Sequence, residues 1–313
     1  MNSNYVTYSV IIPVYNSSTV LKELVTGITD VFSEMNSSFE ILLIDDCSPD
    51  NSWEVLKELR LNDSKIKIIH LQKNFGQHNA ILCGLKHASG EYIITMDDDF
   101  QHPPEEIPKL IKKIGEGYSV VYGKYLIKQH NLLENFFSCR FQMFIHYILD
   151  IPPTIFISSF AIFKADVVKN MTAINTSFIF LPALVQKSVP VNKIANVDVN
   201  HNPRKIGKSN YTIRKYLSLL LNLTINYSML PLVFVGIVGV VVSFFSFCYG
   251  IFILVRYLAD PTNGLMGWNS LMVALTFLGG LILFSIAIIG EYLRRILTEV
   301  SYGQQYVIGE MEL

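Results

Sequence analysis

Residues 91–104 read EYIITMDDDFQHPP. An apolar run ends in three adjacent carboxylates, followed by an aromatic ring, an amide, an imidazole and a proline pair. The first half predicts a buried strand, EYIITMD, over 91–97. Asp97, Asp98 and Asp99 then fall at its carboxyl end. Adjacent carboxylates raise one another's pKa unless a cation neutralises them. Hard oxygen ligands of this kind suit Mg2+ or Mn2+, which commonly take one or two carboxylates plus substrate phosphates. The DxD spacing lets one carboxylate hold the metal while another orients a nucleotide or sugar. Gln101 adds an amide oxygen, and His102 is expected behind the ligands or exposed.

Outward from this stretch, four further strands are predicted: YSVIIPV (8–14), EILLIDD (40–46), KIKIIHL (65–71) and YSVVYG (118–123). A helix is expected over roughly 77–88. PPEEIPKLIKKIGEG reads as another, with acids early, lysines late and glycine past its end. Ser17 and Ser18 are candidate caps for the helix after the first strand, and Asp50 or Asn51 for the one after the second. Strands alternating with helices imply an α/β fold with a mostly parallel sheet covered on both faces. Such sheets bind ligands beyond the carboxyl ends of their strands. Tyr15, Asn16, Asp45, Asp46 and Asp97–Asp99 gather there. Asp45 and Asp46 are placed to accept hydrogen bonds from a ribose hydroxyl or a base N–H. No GxGxxG follows the first strand, which argues against a dinucleotide-binding domain.

The chain has 313 residues, half of them hydrophobic, and a net charge of −1. Its mean hydropathy of +0.35 is high for a wholly soluble protein. There is no global positive field, and no nucleic-acid partner is expected. Four scattered cysteines form no CxxC pair, which suits a reducing compartment. The N-terminus, MNSNYVTYSV, does not read as a signal peptide. Tyr216–Val255 and Pro261–Gly290 contain no Asp, Glu, Lys or Arg. Each run is long enough for a bilayer span, which needs about 20 residues. Transmembrane helices are placed near 230–255 and 267–290. Arg204, Lys205, Lys208, Arg214 and Lys215 precede the first, and Arg294 and Arg295 follow the second. The positive-inside rule then puts the head and both termini in the cytoplasm.

Three blocks, VIIPVYN, LLIDDCSPDNS and NFGQHNAILCGLKHASGEYIITMDDDFQHPPEEIP, resemble a family 2 glycosyltransferase with a GT-A nucleotide-sugar-binding domain. With the two apolar spans and IIGEYLRRILTEV, the chain is similar over nearly its whole length to the membrane polyprenyl-phosphate glycosyltransferases. The undecaprenyl-phosphate aminoarabinose and glucosyl types are nearest, and dolichyl-phosphate mannose synthase more distant. The resemblance implies that Pro13, Tyr15, Asp45, Asp46, Gly76, Gln77, Asp97 and Asp98 bind the nucleotide-sugar, UDP being the expected carrier. Asp99 and Gln101 would hold Mg2+ or Mn2+. Arg204, Lys208 and Ser209, in HNPRKIGKSNY (201–211), would meet phosphate, with Lys124 and Arg140 as further acceptor-phosphate candidates. Asp97, Asp99, Arg204 and Lys208 are the implied catalytic set.

Three positions depart from the family pattern. Ser17 stands where a glutamate is usual, Cys47 where a glycine is frequent, and Ile155 near where relatives carry an aspartate. A lipid phosphate, with a second pKa of about 6, is largely an oxyanion at pH 7 and needs no general base. The expected organisation is a cytoplasmic GT-A domain over 1–211, a juxtamembrane amphipathic helix over 212–229, two membrane helices within 230–290 and a cytoplasmic tail over 291–313. Residues 131–149 and 211–230 read as interfacial helices holding the site against the bilayer. The expected activity is inverting transfer of a sugar to polyprenyl phosphate in a bacterial inner membrane, for cell-surface glycan synthesis or modification; relatives imply a tetramer. Two alternatives stand beside it: extension of another lipid-linked acceptor, and an inactive membrane scaffold.

Overall fold

The computed structural model describes residues 6–125, 143–144, 146–148, 150–176, 178–200, 202, 222, 224–225, 228, 230–259, 267–301 and 305–313. Arg140, Arg204, Lys208 and Ser209 lie outside the described residues, as do most of the expected interfacial segments 131–149 and 211–230. The chain divides into two compact units: Met1–Asn210 with Tyr302–Leu313, and Tyr211–Ser301.

In the first unit, β1 (Tyr8–Val14), β2 (Phe39–Asp45), β3 (Ile66–Leu71) and β4 (Tyr92–Thr95) pair in parallel in the order β4-β1-β2-β3. Helices α1 (Leu21–Glu34), α2 (Ser52–Asn62) and α3 (Gln77–His87) connect them. In α1, Leu21, Leu24, Val25, Ile28, Val31 and Phe32 recur at helical spacing and are buried. The strands read as continuous apolar runs because both faces of the sheet are covered; all seven positions of β2 are buried. Gly84 lets α3 lie close on β1, where a Cβ would come 2.4 Å from an Ile11 methyl.

The rest of the sheet departs from a simple parallel array. β5 (Val120–Tyr125), β6 (Ala161–Lys164) and β7 (Ile194–Val199) extend it beyond β4, giving the order β7-β5-β6-β4-β1-β2-β3-β8. β6 runs antiparallel to both β4 and β5. Helix α4 (Ile107–Ile114) follows a 3-10 turn, Pro104–Glu106, with Gly117 at φ 101° beyond its end, as the sequence predicts. Helices α5 (Ala165–Ala173) and α6 (Leu181–Ser188) precede β7. Strand β8 (Ile308–Glu312) lies in the segment expected only as a tail and pairs antiparallel with β3. It covers an edge that would otherwise expose unpaired backbone groups. Trp53 Nε1 donates to Glu310 at 3.3 Å, and an Arg60 guanidinium N–H to Leu313 O at 3.0 Å.

Proline in a central strand removes a ladder donor, yet Pro13 sits in β1. The ladder itself explains this. Ile11 O accepts from Met96 N on the β4 side, and Val14 O from Asp46 N on the β2 side. The missing N–H at Pro13 would therefore face β4, beyond its last partner, Thr95 opposite Ile11. β1 and β4 part there, and the acid loop begins in the gap.

The second unit holds α7 (Leu230–Ala259) and α8 (Trp268–Ser301). Among the described residues, Phe277–Leu297 is long and apolar enough to cross a membrane, and Leu230–Val242 is a shorter apolar stretch.

Candidate active site

Three turns at the carboxyl ends of β1, β2 and β4 converge. Each contains a non-glycine residue in the left-handed region: Asn16 (φ 59°), Cys47 (φ 56°) and Phe100 (φ 59°). Glycine is the residue that adopts this conformation without strain.

The acid loop accepts hydrogen bonds from its neighbours. Asp97 accepts from Gln77 Nε2 and from Ser159 Oγ, each at 2.6 Å. Asp98 Oδ2 accepts from Tyr15 N at 3.1 Å and Ser17 Oγ at 2.5 Å. Asp99 Oδ1 accepts from Gln101 N at 3.0 Å. Burial pushes the Asp98 carboxyl up to about 6; the Ser17 and Tyr15 donors pull it down, and the neighbouring Asp97 and Asp99 charges add to the rise.

One carboxylate oxygen of Asp97, one of Asp99 and a ring nitrogen of His102 lie within 4.8 Å of one another. Of the two placements expected for His102, behind the ligands or exposed, the structure has it buried. It packs on Phe160 and bonds through Nε2 to Tyr125 Oη at 2.5 Å. The left-handed turn at Phe100 brings it back under the acids. Burial holds its imidazole down to about 4, against the pull of Asp99. A neutral imidazole and two carboxylates fit a hard divalent cation.

The second acidic pair divides. Asp45 is fully buried, bonded to His70 Nδ1 at 2.6 Å and accepting from Ser48 N at 3.2 Å. Asp46 is buried as well, and the two carboxylates turn to different partners. Asp46 accepts from Phe75 N at 2.7 Å and Gly76 N at 2.8 Å. It thereby fixes the loop in which Gly76 takes φ 89° and Gln77 reaches Asp97. Burial raises the Asp46 carboxyl, the two N–H donors lower it, and Asp45 adds to the rise. Pro13 is buried in β1, Tyr15 is exposed above it, and Lys124 is exposed on β5.

Ser17 and Ser18 do not cap α1, whose N-cap residue is Val20 with no side-chain bond. Asp50 accepts from Ser52 N and Oγ at the start of α2, and from Ser18 N. Sequence reading missed Ser159, Tyr125 and Glu106. Glu106 is buried and accepts from Asn200 Nδ2 at 2.8 Å, while Asn202 N donates to Gln101 O at 3.1 Å. The first ties the end of β7 to the turn before α4, and the second ties Asn202 to the acid loop. No local periodicity marks such long-range polar partners.

A mostly parallel α/β sheet that ends in such an acid loop fits the GT-A glycosyltransferase architecture. Residues 9–172 match glycosyl transferase family 2, and the chain belongs to that family. It is 31% identical to an undecaprenyl-phosphate 4-deoxy-4-formamido-L-arabinose transferase of Shewanella sediminis, over 99% of this chain and 95% of that protein. It is 30% identical to an uncharacterized glycosyltransferase of Bacillus subtilis, over 98% of this chain and 94% of that one. Its fold resembles glucosyl-3-phosphoglycerate synthase from Mycobacterium tuberculosis, solved with Mn2+, UDP-glucose and phosphoglyceric acid. That likeness has a TM-score of 0.51 and 14% identity, covering 70% of this chain and 77% of the other.

Proposed function

We propose that the protein transfers a sugar from a UDP-sugar to undecaprenyl phosphate, with inversion and with Mg2+ or Mn2+, at the cytoplasmic face of a bacterial inner membrane. The observation that carries this reading is the convergence of Asp97, Asp99 and His102 at the carboxyl ends of the parallel strands. The relatives named as undecaprenyl-phosphate transferases over nearly the whole chain supply the acceptor class.

In this reading Pro13, Tyr15, Asp45, Asp46, Gly76 and Gln77 form the nucleotide pocket. Asp97, fixed between Gln77 and Ser159, faces the sugar. Asp99 holds the cation, with Gln101 and His102 beside it. When bound, the cation supplies positive charge to the diphosphate leaving group. Arg204, Lys208, Lys124 and Arg140 supply positive charge for the acceptor phosphate, and Ser209 a hydroxyl donor. A phosphate oxygen attacks the anomeric carbon as the bond to the diphosphate breaks, in one in-line displacement. No proton must be removed, because a phosphate with a second pKa of about 6 is already an oxyanion at pH 7. A hydroxyl acceptor would need a base, and buried Ile155 offers none.

Helices α7 and α8 form the membrane hairpin, with the sheet unit and both termini cytoplasmic. Their exposed side chains support this: Val240, Phe244, Phe245, Ile282 and Leu283 are each more than half exposed. Apolar surface of this extent is rare on soluble monomers. The proposed layout is 1–211 for the transferase domain, 212–229 for a juxtamembrane helix, 230–290 for the hairpin and 291–313 for the cytoplasmic end.

The test is a transfer assay with purified protein, undecaprenyl phosphate, Mn2+ or Mg2+ and a panel of labelled UDP- and GDP-sugars. Label entering the lipid phase, and lost with EDTA, is the expected result. Nucleotide binding without transfer from any donor would overturn the acceptor. Neither binding nor transfer would leave a membrane scaffold.

A further inference from the structure

Four consecutive backbone N–H groups in the turn after β1 are taken by side chains from other turns, each at 3.1 Å. Tyr15 N donates to Asp98 Oδ2, Asn16 N to Ser48 Oγ, Ser17 N to Ser52 Oγ and Ser18 N to Asp50 Oδ2. Backbone donors in a tight turn that cannot reach carbonyls must be satisfied this way or by water. The turn is thereby sewn to its two neighbours. Ser17 contributes twice, because its hydroxyl also reaches Asp98 Oδ2 at 2.5 Å.

Three adjacent carboxylates cannot all face one cation without crowding, and Asp98 has to go elsewhere. Its Oδ2 is turned onto the β1 turn by two donors, whereas Asp97, Asp99 and His102 converge. Both bonds end on a carboxylate oxygen and are charge-assisted, and the Ser17 hydroxyl makes the shorter one, 2.5 Å against 3.1 Å. A carboxylate at position 17 would meet Asp98 with like charge.

We propose that Ser17 is a positioning residue: by clamping Asp98 to the β1 turn, it holds the acid loop in the conformation in which Asp97, Asp99 and His102 meet. This rests on the cation reading of that cluster.

The test is Mn2+ binding to the full-length protein in detergent, without donor or acceptor, followed by the electron paramagnetic resonance signal of free Mn2+. Ser17→Ala is expected to raise the Mn2+ Kd about tenfold, and Ser17→Thr, which keeps the hydroxyl, to stay within about twofold of the parent. In an Asp98→Asn background the Ser17→Ala effect should shrink to less than about twofold, since the two residues act as one unit. Unchanged Mn2+ binding in Ser17→Ala, with a parent that binds, would overturn the role of Ser17 and leave the metal reading intact. A full tenfold loss in the Asp98→Asn background would also overturn it. Should Ser17→Ala fail to fold, Ser17→Thr decides alone: normal binding supports the clamp, and weakened binding in a folded protein rejects it. A parent that binds no Mn2+ overturns the inference and the metal reading together.

Discussion

Two carboxylate sites occupy opposite ends of the same sheet, and they are built differently. Glu40, at the start of β2, is buried and closed. Lys67 Nζ lies 2.6 Å from Oε2, and Oε1 accepts from Ser9 Oγ at 2.5 Å, Ser89 N at 2.7 Å and Ser89 Oγ at 2.9 Å. Burial alone would raise its pKa, but Lys67 and the three other donors outweigh it and hold the carboxyl below the usual range. At the other end, Asp97–Asp99 accept from the Gln77 amide, the Ser159 and Ser17 hydroxyls and backbone N–H groups. These hydrogen bonds fix the acids in direction. Glu40 is turned to a lysine inside the fold, whereas Asp97 and Asp99 converge with His102 at the carboxyl ends of the strands.

The largest expected difference between the two ends is chemical. Asp99→Ala should lower transfer by more than about a thousandfold, roughly 4 kcal/mol of barrier, while the protein still partitions into membranes. Full activity in that variant, with metal still required, would remove Asp99 from the cation site and erase the contrast. Ile155→Asp adds a carboxylate where no donor set awaits it. Ile155 is buried, and the neighbouring Phe156 is pinned through both its N–H and C=O to the Asn196 amide. An acid there should cost about 2–4 kcal/mol of stability for burying an ill-satisfied group. It should not raise transfer to undecaprenyl phosphate more than a few fold. A hundredfold gain would show that a base at this position matters after all.

Glu40→Gln should do the reverse of Asp99→Ala. Transfer persists, and stability falls by about 1.5–3 kcal/mol, the range for hydrogen bonds to a charged group. The sign with pH follows from the depressed pKa. The folded value lies below the unfolded one of about 4.3, so the contribution is complete above that pH and is lost as pH falls through the folded value. Denaturation midpoints of parent and variant should therefore differ at pH 7, and the gap should narrow as pH falls below about 4.3. A gap that does not narrow would mean that charge is not what Glu40 supplies.

Much of the cleft end was legible in the sequence. The β-branched runs over 8–14, 40–46 and 65–71 differ from the observed strands by at most one residue at either end, because strands buried on both faces leave a dense apolar signal. The acids after 96 stood out because they break that signal. What escaped was non-local. β8, IGEME, has a glycine and two glutamates and pairs with a strand more than two hundred residues earlier. Ser159 and Tyr125 enter the site through β6 and β5, whose mixed pairing no periodicity records. Ser17 was read as a cap because serine before a helix usually is one; the acid loop, eighty-one residues on, takes its hydroxyl instead.

The backbone gives the smallest and sharpest comparison. Asn16, Asn36 and Asp150 are of the two residue types that tolerate the left-handed region, so their positive φ costs little. Cys47 and Phe100 are not, and both lie in the turns that build the cleft. Strain held beside a binding site persists only where its surroundings over-determine it, and around Cys47 they do: Asp46 N bonds to Val14 O on one side, and Ser48 N to Asp45 Oδ1 on the other. Cys47→Gly should relieve about 1–2 kcal/mol of left-handed strain and return about 0.4–1 kcal/mol through the greater freedom of the unfolded chain. The net gain is then on the order of 0.5–1 kcal/mol, read as a higher denaturation midpoint with transfer unchanged within about twofold. A lower midpoint would mean that the Cys47 side chain contributes more by packing than its backbone costs.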